Sequence, residues 1–231
     1  MHTWTYNEFR HGGVNFDDSA QVATYEARQH TSLENERKLV RRLGIDREHR
    51  VVDYGTGTGA FAIAAGEMGA SVTGVDISPA MLSFATRKAQ EAQLGNVRFE
   101  RGSYLTHVQA DESVDFIVTK FALHHLPDFW KMAALRRIWR CLRRGGVFYL
   151  QDVVFSFGPD DQATVLEEWI KEATSQGSFS RAEFEAHIRD EFSTYGFLME
   201  QMLRQTGFEI LSASYYSKVQ AEYVCQRGKH G

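Results

Sequence analysis

A carboxylate and three alternating glycines stand together where a short β-branched run ends. Asp53 is followed by Gly55, Gly57 and Gly59, and an apolar segment with helical spacing comes next. Glycine adopts positive φ angles and lets the backbone come close to a ligand. A strand, a glycine turn and a helix N-terminus in this order are typical of a cradle for a nucleotide.

The position of Asp53 bears on which nucleotide the turn would hold. In a dinucleotide site the pyrophosphate lies against this turn, and two like charges about 4 Å apart repel by roughly 4 kcal/mol at an effective dielectric near 20. A cationic ligand without phosphate, such as S-adenosylmethionine, would be attracted instead. The segment Gly55-x-Gly57-x-x-Ala60 also fits the dinucleotide fingerprint. A dinucleotide, or a tight turn with no ligand, therefore remains an alternative at this point.

A second acid, Asp76, ends the alternating segment SVTGVD, which predicts a strand. An acid at the end of the second strand of a nucleotide-binding unit accepts hydrogen bonds from ribose hydroxyls. This contact serves S-adenosylmethionine and NAD alike, so Asp76 indicates an adenosine ligand without choosing one. Ser78 and Pro79 follow as the predicted N-cap and first residue of a helix.

Strands and helices alternate along the chain around these residues. We predict strands at 50–54, 71–76, 96–101, 114–119 and 146–152, and helices at 58–68, 79–93 and 127–143. Gly145 and Gly146 are predicted to end the last helix. Alternating βα units imply a doubly wound, parallel sheet. Residues 208–216 and 221–226 predict a terminal hairpin.

Two regions depart from this alternation. We expect residues 1–45 to supply an N-terminal helical cap and residues 153–193 to form a helical insertion that belongs to the same cap. Within the insertion, Ser180-x-x-Glu183 is a capping box that opens a helix. The whole chain, 1–231, is expected to form a single domain.

The sequence resembles the class I S-adenosylmethionine-dependent methyltransferases of small-molecule type. Three motifs match that family in type and order: Asp53-x-Gly55-x-Gly57-x-Gly59, Asp76, and VDFIVTKFALHHL at 114–126. The resemblance implies an α/β, Rossmann-like, doubly wound seven-stranded sheet, mostly parallel with a C-terminal antiparallel hairpin, plus helical cap elements. It implies S-adenosyl-L-methionine as the cofactor. It also implies in-line methyl transfer to an O, N or C nucleophile of a small, partly apolar acceptor.

Ligands of open α/β sheets bind at the carboxyl ends of the strands, so the residues after each strand are the predicted cofactor-binding residues. They are Asp53, Gly55, Thr56, Gly57, Gly59, Asp76, Ile77, Ser103, Tyr104, Lys120 and Phe121. Ser103 stands where the commonest family pattern has an Asp near the adenine amino group. Residues 15–30, NFDDSAQVATYEARQH, resemble the N-terminal segment of small-molecule methyltransferases, which adds Tyr25 and Arg28 as residues that close over the cofactor.

His124, His125 and Asp152 are the candidate catalytic residues, each as a general base. Methyl transfer needs a base only if the acceptor loses a proton during attack, and positioning alone supplies roughly 7–11 kcal/mol. Adjacent residues of a helix do not share a face, and no further His, Cys or carboxylate lies at ligand spacing nearby. We therefore predict no metal site.

Composition limits the class of partner. A net charge of −4, from 26 basic and 30 acidic residues, gives no general attraction to nucleic acid or to an anionic membrane. Cys141 and Cys225 are too few for a Cys₄ zinc site and are expected to be reduced thiols. The chain has neither a membrane-spanning apolar run nor a signal-peptide pattern. We expect a cytoplasmic protein that binds a small-molecule acceptor, with a homodimer as an open alternative to a monomer.

Two other function classes stay open. An NAD(P)-dependent oxidoreductase would have to tolerate Asp53 beside a pyrophosphate, and it would normally show a Tyr-x-x-x-Lys pair, which the chain lacks. A non-catalytic cofactor-binding protein would keep the fold without turnover.

Overall fold

The computed structural model describes residues 3–9, 32–175 and 180–228. The predicted cofactor residues Tyr25 and Arg28 lie outside these ranges, as does most of the expected N-terminal cap. No helix within the described ranges has the length and apolarity needed to cross a membrane.

The strands form one sheet in the order β3-β2-β1-β4-β5-β8-β7, and the two-residue β6 pairs with β5 beside this path. They are β1 (Arg50–Tyr54), β2 (Ser71–Asp76), β3 (Val97–Arg101), β4 (Val114–Lys120), β5 (Leu142–Phe155), β6 (Thr194–Tyr195), β7 (Phe208–Tyr215) and β8 (Gln220–Arg227). Strands β1 to β5 pair in parallel, and β8 is antiparallel to both β5 and β7. The predicted mostly parallel sheet with a C-terminal antiparallel hairpin is confirmed, and β6 is an addition that the sequence did not indicate.

Helices connect the strands and supply the layers on both faces. They are α1 (Leu33–Leu43), α2 (Ala60–Glu67), α3 (Pro79–Glu91), α4 (Asp128–Cys141), α5 (Gln162–Ser175), α6 (Arg181–Asp190) and α7 (Gly196–Thr206). Local signals explain several ends: the Ser78 hydroxyl caps α3 by accepting from the Met81 N–H, and the predicted Ser180–Glu183 capping box is present. These side chains satisfy backbone N–H groups that have no partner inside the helix.

Successive residues of the central strands bury their side chains in opposite core layers, because side chains alternate along a strand. Val51 packs with residues of α1 and α2 such as Val40 and Phe61. Its neighbour Val52 belongs to the other layer, which contains residues of α4 and α7 such as Leu135. Helices on both faces of the sheet give the doubly wound arrangement.

The predicted boundary between the helix at 127–143 and the strand at 146–152 is wrong, because β5 begins at Leu142. Helix α4 ends at Cys141 and not at 143, and Gly145 and Gly146 lie inside β5 and do not end the helix. The reason is long-range: the Arg227 guanidinium on β8 donates to the Arg140 carbonyl oxygen at 3.1 Å, which satisfies the end of the helix. At Gly146 an added Cβ would lie 3.0 Å from the Asp115 carbonyl oxygen, so this glycine serves a close approach of β5 to β4.

Candidate functional site

The glycine turn after β1 adopts the conformation that its sequence predicts. Gly55, Gly57 and Gly59 all have positive φ angles, of 69°, 52° and 78°. A Cβ at Gly55 would lie 2.3 Å from the Ala122 Cβ, so this glycine lets the turn approach the segment after β4. Packing therefore requires a glycine at position 55, and so does the backbone conformation.

Asp53 lies beneath the turn and does not line the cleft above it. Its carboxylate is buried and accepts a hydrogen bond from the Thr56 hydroxyl at 2.6 Å. Burial raises the pKa of Asp53 to about 7, against the opposing effects of Thr56 and Lys120. Burial thus disfavours the ionised form of this carboxyl group, which weakens the negative charge at the turn.

A cleft of about 1060 Å³, including its open mouth, lies at the carboxyl ends of the parallel strands. Nine of the predicted site residues line it: Gly55, Gly57, Asp76, Ile77, Ser103, Tyr104, Lys120, Phe121 and His125. The tertiary structure thus brings together the residues that follow four different strands. The predicted residues Thr56, Gly59, His124 and Asp152, like Asp53, do not line the cleft.

Asp76 ends β2 at the floor of the cleft. One of its carboxylate oxygens accepts from the Gly57 N–H and the other from the Ser78 N–H, each at 2.9 Å. These bonds tie the glycine turn to the start of α3. They also place the Asp76 carboxylate on the surface of the cleft, where a ligand can contact it.

Residues near the N-terminus complete one wall of the cleft. Glu8 accepts hydrogen bonds from the Ser103 hydroxyl and, at 2.9 Å, from the Leu105 N–H. Tyr6 also lines the cleft and stacks on Trp130 with a centroid distance of 6.3 Å. Glu8 is a carboxylate placed beside Ser103, where the sequence itself lacks the common Asp.

Lys120 ends β4 and carries a positive charge into the cleft wall. Its ammonium group forms an ion pair with the buried Glu36 of α1. The next residue, Phe121, has a φ of 50°, which is uncommon for a residue with a side chain, and its N–H donates to the Gln151 carbonyl oxygen at 2.8 Å. Strained backbone of this kind clusters at functional sites.

The two adjacent histidines have different surroundings. His124 is buried, and its Nδ1 bonds to the carboxylate of Asp152, which also accepts from the His124 backbone N–H at 3.0 Å. Burial opposes the charged form, but Asp152 and Glu191 together raise the pKa of His124 to about 9. His125 lines the cleft, and desolvation together with the charge of His124 lowers its pKa. Of the two imidazoles, that of His125 is therefore the one that a ligand in the cleft can contact.

Comparison with known proteins assigns the family. Residues 51–146 match the methyltransferase domain family. An uncharacterized methyltransferase of Anoxybacillus flavithermus is 30% identical over 160 residues, which cover 69% of each chain. The chain belongs to the class I S-adenosylmethionine-dependent methyltransferase superfamily. The matched region contains the glycine turn, Asp76 and both histidines.

Two further methyltransferases show how far the similarity reaches. The uncharacterized methyltransferase YcgJ of Bacillus subtilis is 34% identical over 143 residues, which are 62% of this chain but only 51% of that protein. The chain therefore spans about half the length of this relative. The crystal structure of magnesium protoporphyrin IX methyltransferase from Synechocystis, with bound SAH, has a TM-score of 0.64 and 20% identity over 96% of this chain and 91% of that chain. This neighbour shows the shared methyltransferase fold.

Several residues that line the cleft of this chain were not predicted from the sequence. Tyr6 and Glu8 come from a segment without a motif, and Asp190, Glu191 and Phe192 come from the end of α6. A signal for Glu191 existed, because His187 and Glu191 have the i, i+4 spacing that places two side chains on one helix face. Their proximity to the cleft depends on where α6 packs, which the spacing does not reveal.

Proposed function

We propose that the chain binds S-adenosylmethionine in the cleft and catalyses methyl transfer to a small, partly apolar acceptor. The observation that carries this proposal is the convergence of the glycine turn, Asp76 and Phe121 on one cleft at the carboxyl edge of the sheet. The chain's superfamily supports the cofactor, and so does the SAH in the Synechocystis structure.

The residues present fit an adenosyl ligand. The cradle at Gly55 has no room for a side chain, and the Asp76 carboxylate lines the cleft at the end of β2, where it would accept from ribose hydroxyls. Ile77 and Met81 offer apolar contacts for the adenine ring. Glu8 is placed to accept from the adenine amino group, in the role that an Asp after the third strand has in the commonest family pattern.

When bound, S-adenosylmethionine supplies an electrophilic methyl group on a sulfonium. The protein then has to hold the acceptor in line with that group and to exclude water. The side chains of Phe121, Leu126 and Phe192 form an apolar part of the cleft wall, which favours a partly apolar acceptor. His125 is the residue that we assign to accept a proton if the attacking atom carries one.

Isothermal titration calorimetry of the full chain tests the cofactor assignment. We expect S-adenosylmethionine and S-adenosylhomocysteine to bind, and NAD not to bind. Asp76→Asn should lower the affinity for both adenosyl ligands by about 10- to 100-fold, because hydrogen bonds to a charged group contribute roughly 1.5–3 kcal/mol. Asp111→Asn is the matched control, since Asp111 is an exposed acid that pairs with Arg140 away from the cleft.

The opposite outcomes are equally clear. Binding of NAD in preference to S-adenosylmethionine would contradict the proposal and favour an NAD(P)-dependent oxidoreductase. Unchanged affinity in folded Asp76→Asn protein would remove Asp76 from the cofactor site. Failure to form S-adenosylhomocysteine with any member of a metabolite panel, despite tight cofactor binding, would favour a non-catalytic role.

A further inference from the structure

Three potential metal ligands, from two separate parts of the chain, lie close together at the cleft. His124 belongs to the 3₁₀ turn Leu123–His125 after β4, His187 lies on α6, and Glu191 directly follows that helix. One donor atom from each lies within 4.8 Å of the other two. His124 Nε2 is 3.0 Å from Glu191 Oε2, and His187 Nδ1 approaches the same oxygen.

The Glu191 carboxylate supplies an independent observation. Its side chain is only 7% exposed, and within the described residues the buried Oε2 atom has no hydrogen bond of acceptable geometry. Two imidazole nitrogens thus converge on one carboxylate oxygen without the direction that a hydrogen bond requires. In the part of the chain that the structure describes, the ion-pair contacts of this oxygen are those with the two imidazoles. A divalent cation between the three groups would displace the imidazole protons and replace these contacts with direct coordination.

Asp152 holds His124 in the orientation that a metal ligand needs. The completely buried Asp152 carboxylate bonds to Nδ1 of His124, which leaves Nε2 directed toward Glu191. A carboxylate that binds the second nitrogen of a ligating histidine fixes its tautomer and orients the ring. The arrangement of carboxylate, histidine and metal recurs widely around protein-bound zinc.

We propose that His124 Nε2, His187 Nδ1 and the Glu191 carboxylate bind a divalent transition-metal ion, with Asp152 as the positioning residue. Two imidazoles and one carboxylate are a common ligand set for Zn²⁺ with a fourth coordination position open. Donor atoms around such an ion lie about 3.4 Å apart when its bonds are about 2.1 Å long. Since the donor atoms now lie within 4.8 Å of one another, side-chain movements of about 1–2 Å would bring the cluster to this geometry.

The location connects the site with the cleft. Glu191 lines the cleft together with its neighbour Phe192, and it contacts His124 and His187, which do not line the cleft. An ion held here would therefore form part of the wall on the side that we assign to the acceptor. Only this last assignment rests on the proposed function, and the metal site itself does not.

Metal titration of the untagged full chain tests the proposal. After removal of bound metal with a chelator, Co²⁺ is added and its visible absorption is followed, and Zn²⁺ is then used to displace it. We expect about one ion per chain, confirmed by elemental analysis. His187→Gln and Glu191→Gln should each weaken Co²⁺ binding at least tenfold, because each variant lacks one ligand.

Two further variants are needed. One tests whether Asp152 orients His124 without binding the metal itself, and the other tests for nonspecific binding of Co²⁺ to histidine. Asp152→Asn should weaken Co²⁺ binding by about 10- to 100-fold but retain the wild-type cobalt spectrum, because the ligands are unchanged. His49→Gln is the matched control, since His49 pairs with Asp46 in the segment before β1 and does not line the cleft. Its cobalt affinity should equal that of the wild type.

The proposal is overturned if the wild-type chain binds no Co²⁺ or Zn²⁺. It is also overturned if folded His187→Gln and Glu191→Gln proteins bind Co²⁺ as the wild type does. His187 is partly exposed, so its variant is expected to fold, and circular dichroism checks this. Calorimetry with S-adenosylmethionine on the metal-free chain reports on the cofactor site separately, so failure of one proposal does not imply failure of the other.

Discussion

Gly44 and Gly55 adopt nearly the same φ angle, 70° and 69°, in different surroundings. Gly44 ends α1, and a Cβ there would have no atom within 4 Å. At Gly55 the same Cβ would collide with Ala122 on the wall of the cleft. A side chain at Gly44 would therefore meet only the cost of a left-handed backbone, whereas a side chain at Gly55 would also clash with Ala122.

Replacing each glycine with alanine tests this difference. Gly44→Ala should lower the free energy of unfolding by about 1–2 kcal/mol, the cost of the left-handed conformation, and leave S-adenosylmethionine affinity unchanged. Gly55→Ala should lower stability further and weaken cofactor binding at least tenfold, because the turn and Ala122 must move apart. Urea unfolding and calorimetry measure the two quantities. Equal effects of both substitutions on affinity would mean that the close approach at Gly55 does not shape the site.

At the scale of elements, helix α6 connects a local sequence signal with the site. The Ser180 hydroxyl accepts from the Glu183 N–H, and the Glu183 side chain accepts from the Ser180 N–H. This reciprocal cap starts the helix that carries His187 and leads into Glu191. Stability at the beginning of α6 therefore affects how firmly the cleft wall is held.

Ser180→Ala should destabilise α6 by about 1 kcal/mol, the usual cost of removing an N-cap. Hydrogen–deuterium exchange should become faster in α6 and remain unchanged in α1. Ser32→Ala is the matched control, because Ser32 caps α1 through the Asn35 N–H and should produce the reverse pattern. If Ser180→Ala leaves exchange in α6 unaltered, the capping box contributes nothing to the order of this helix.

Across the whole molecule, an ion pair joins the first described helix to the last strand. Arg42 of α1 donates to both carboxylate oxygens of Glu222 on β8, at 2.5 and 2.7 Å, and the Tyr149 hydroxyl donates to the same carboxylate at 2.7 Å. The Arg42 hydrogen bonds, against the effect of burial, lower the pKa of Glu222 to about 2. The pair thus links distant parts of the chain and makes folding stability depend on pH.

Arg42→Gln should lower the free energy of unfolding by about 1–2 kcal/mol at pH 7, a value discounted from that of a buried pair because Arg42 is half exposed. The folded-state pKa of Glu222 is depressed, so its contribution is fully present above the unfolded value near 4.3 and is lost as pH falls toward about 2. The difference between wild type and variant should therefore narrow between about pH 5 and pH 2. Urea unfolding across this range measures it.

The control for this pair is Arg41→Gln, because Arg41 and Glu34 form an exposed pair at 3.5 Å. Its effect should stay below about 0.5 kcal/mol at every pH. A difference between wild type and Arg42→Gln that remains constant from pH 7 to pH 3 would show that packing, and not charge, accounts for the loss.

Apart from the two-residue β6, short-range patterns in the sequence were sufficient to predict the order of strands and helices, the glycine turn and the Ser180 capping box. Each depends on residues a few positions apart, through side-chain periodicity, backbone φ preference or a local hydrogen bond. The end of α4 was predicted wrongly because it depends on a contact between distant parts of the chain. It depends on Arg227, which reaches the helix from the other end of the chain.

By itself, then, the sequence determined the βα alternation and the residues that follow each strand, because these are local properties. Only the tertiary structure decided that Glu8 meets Ser103 and that His187 and Glu191 meet His124. It also decided that Asp53 is buried beneath the turn with a raised pKa. Contacts between distant segments and the desolvation of a charge depend on how the layers pack, and neither is encoded in residue spacing.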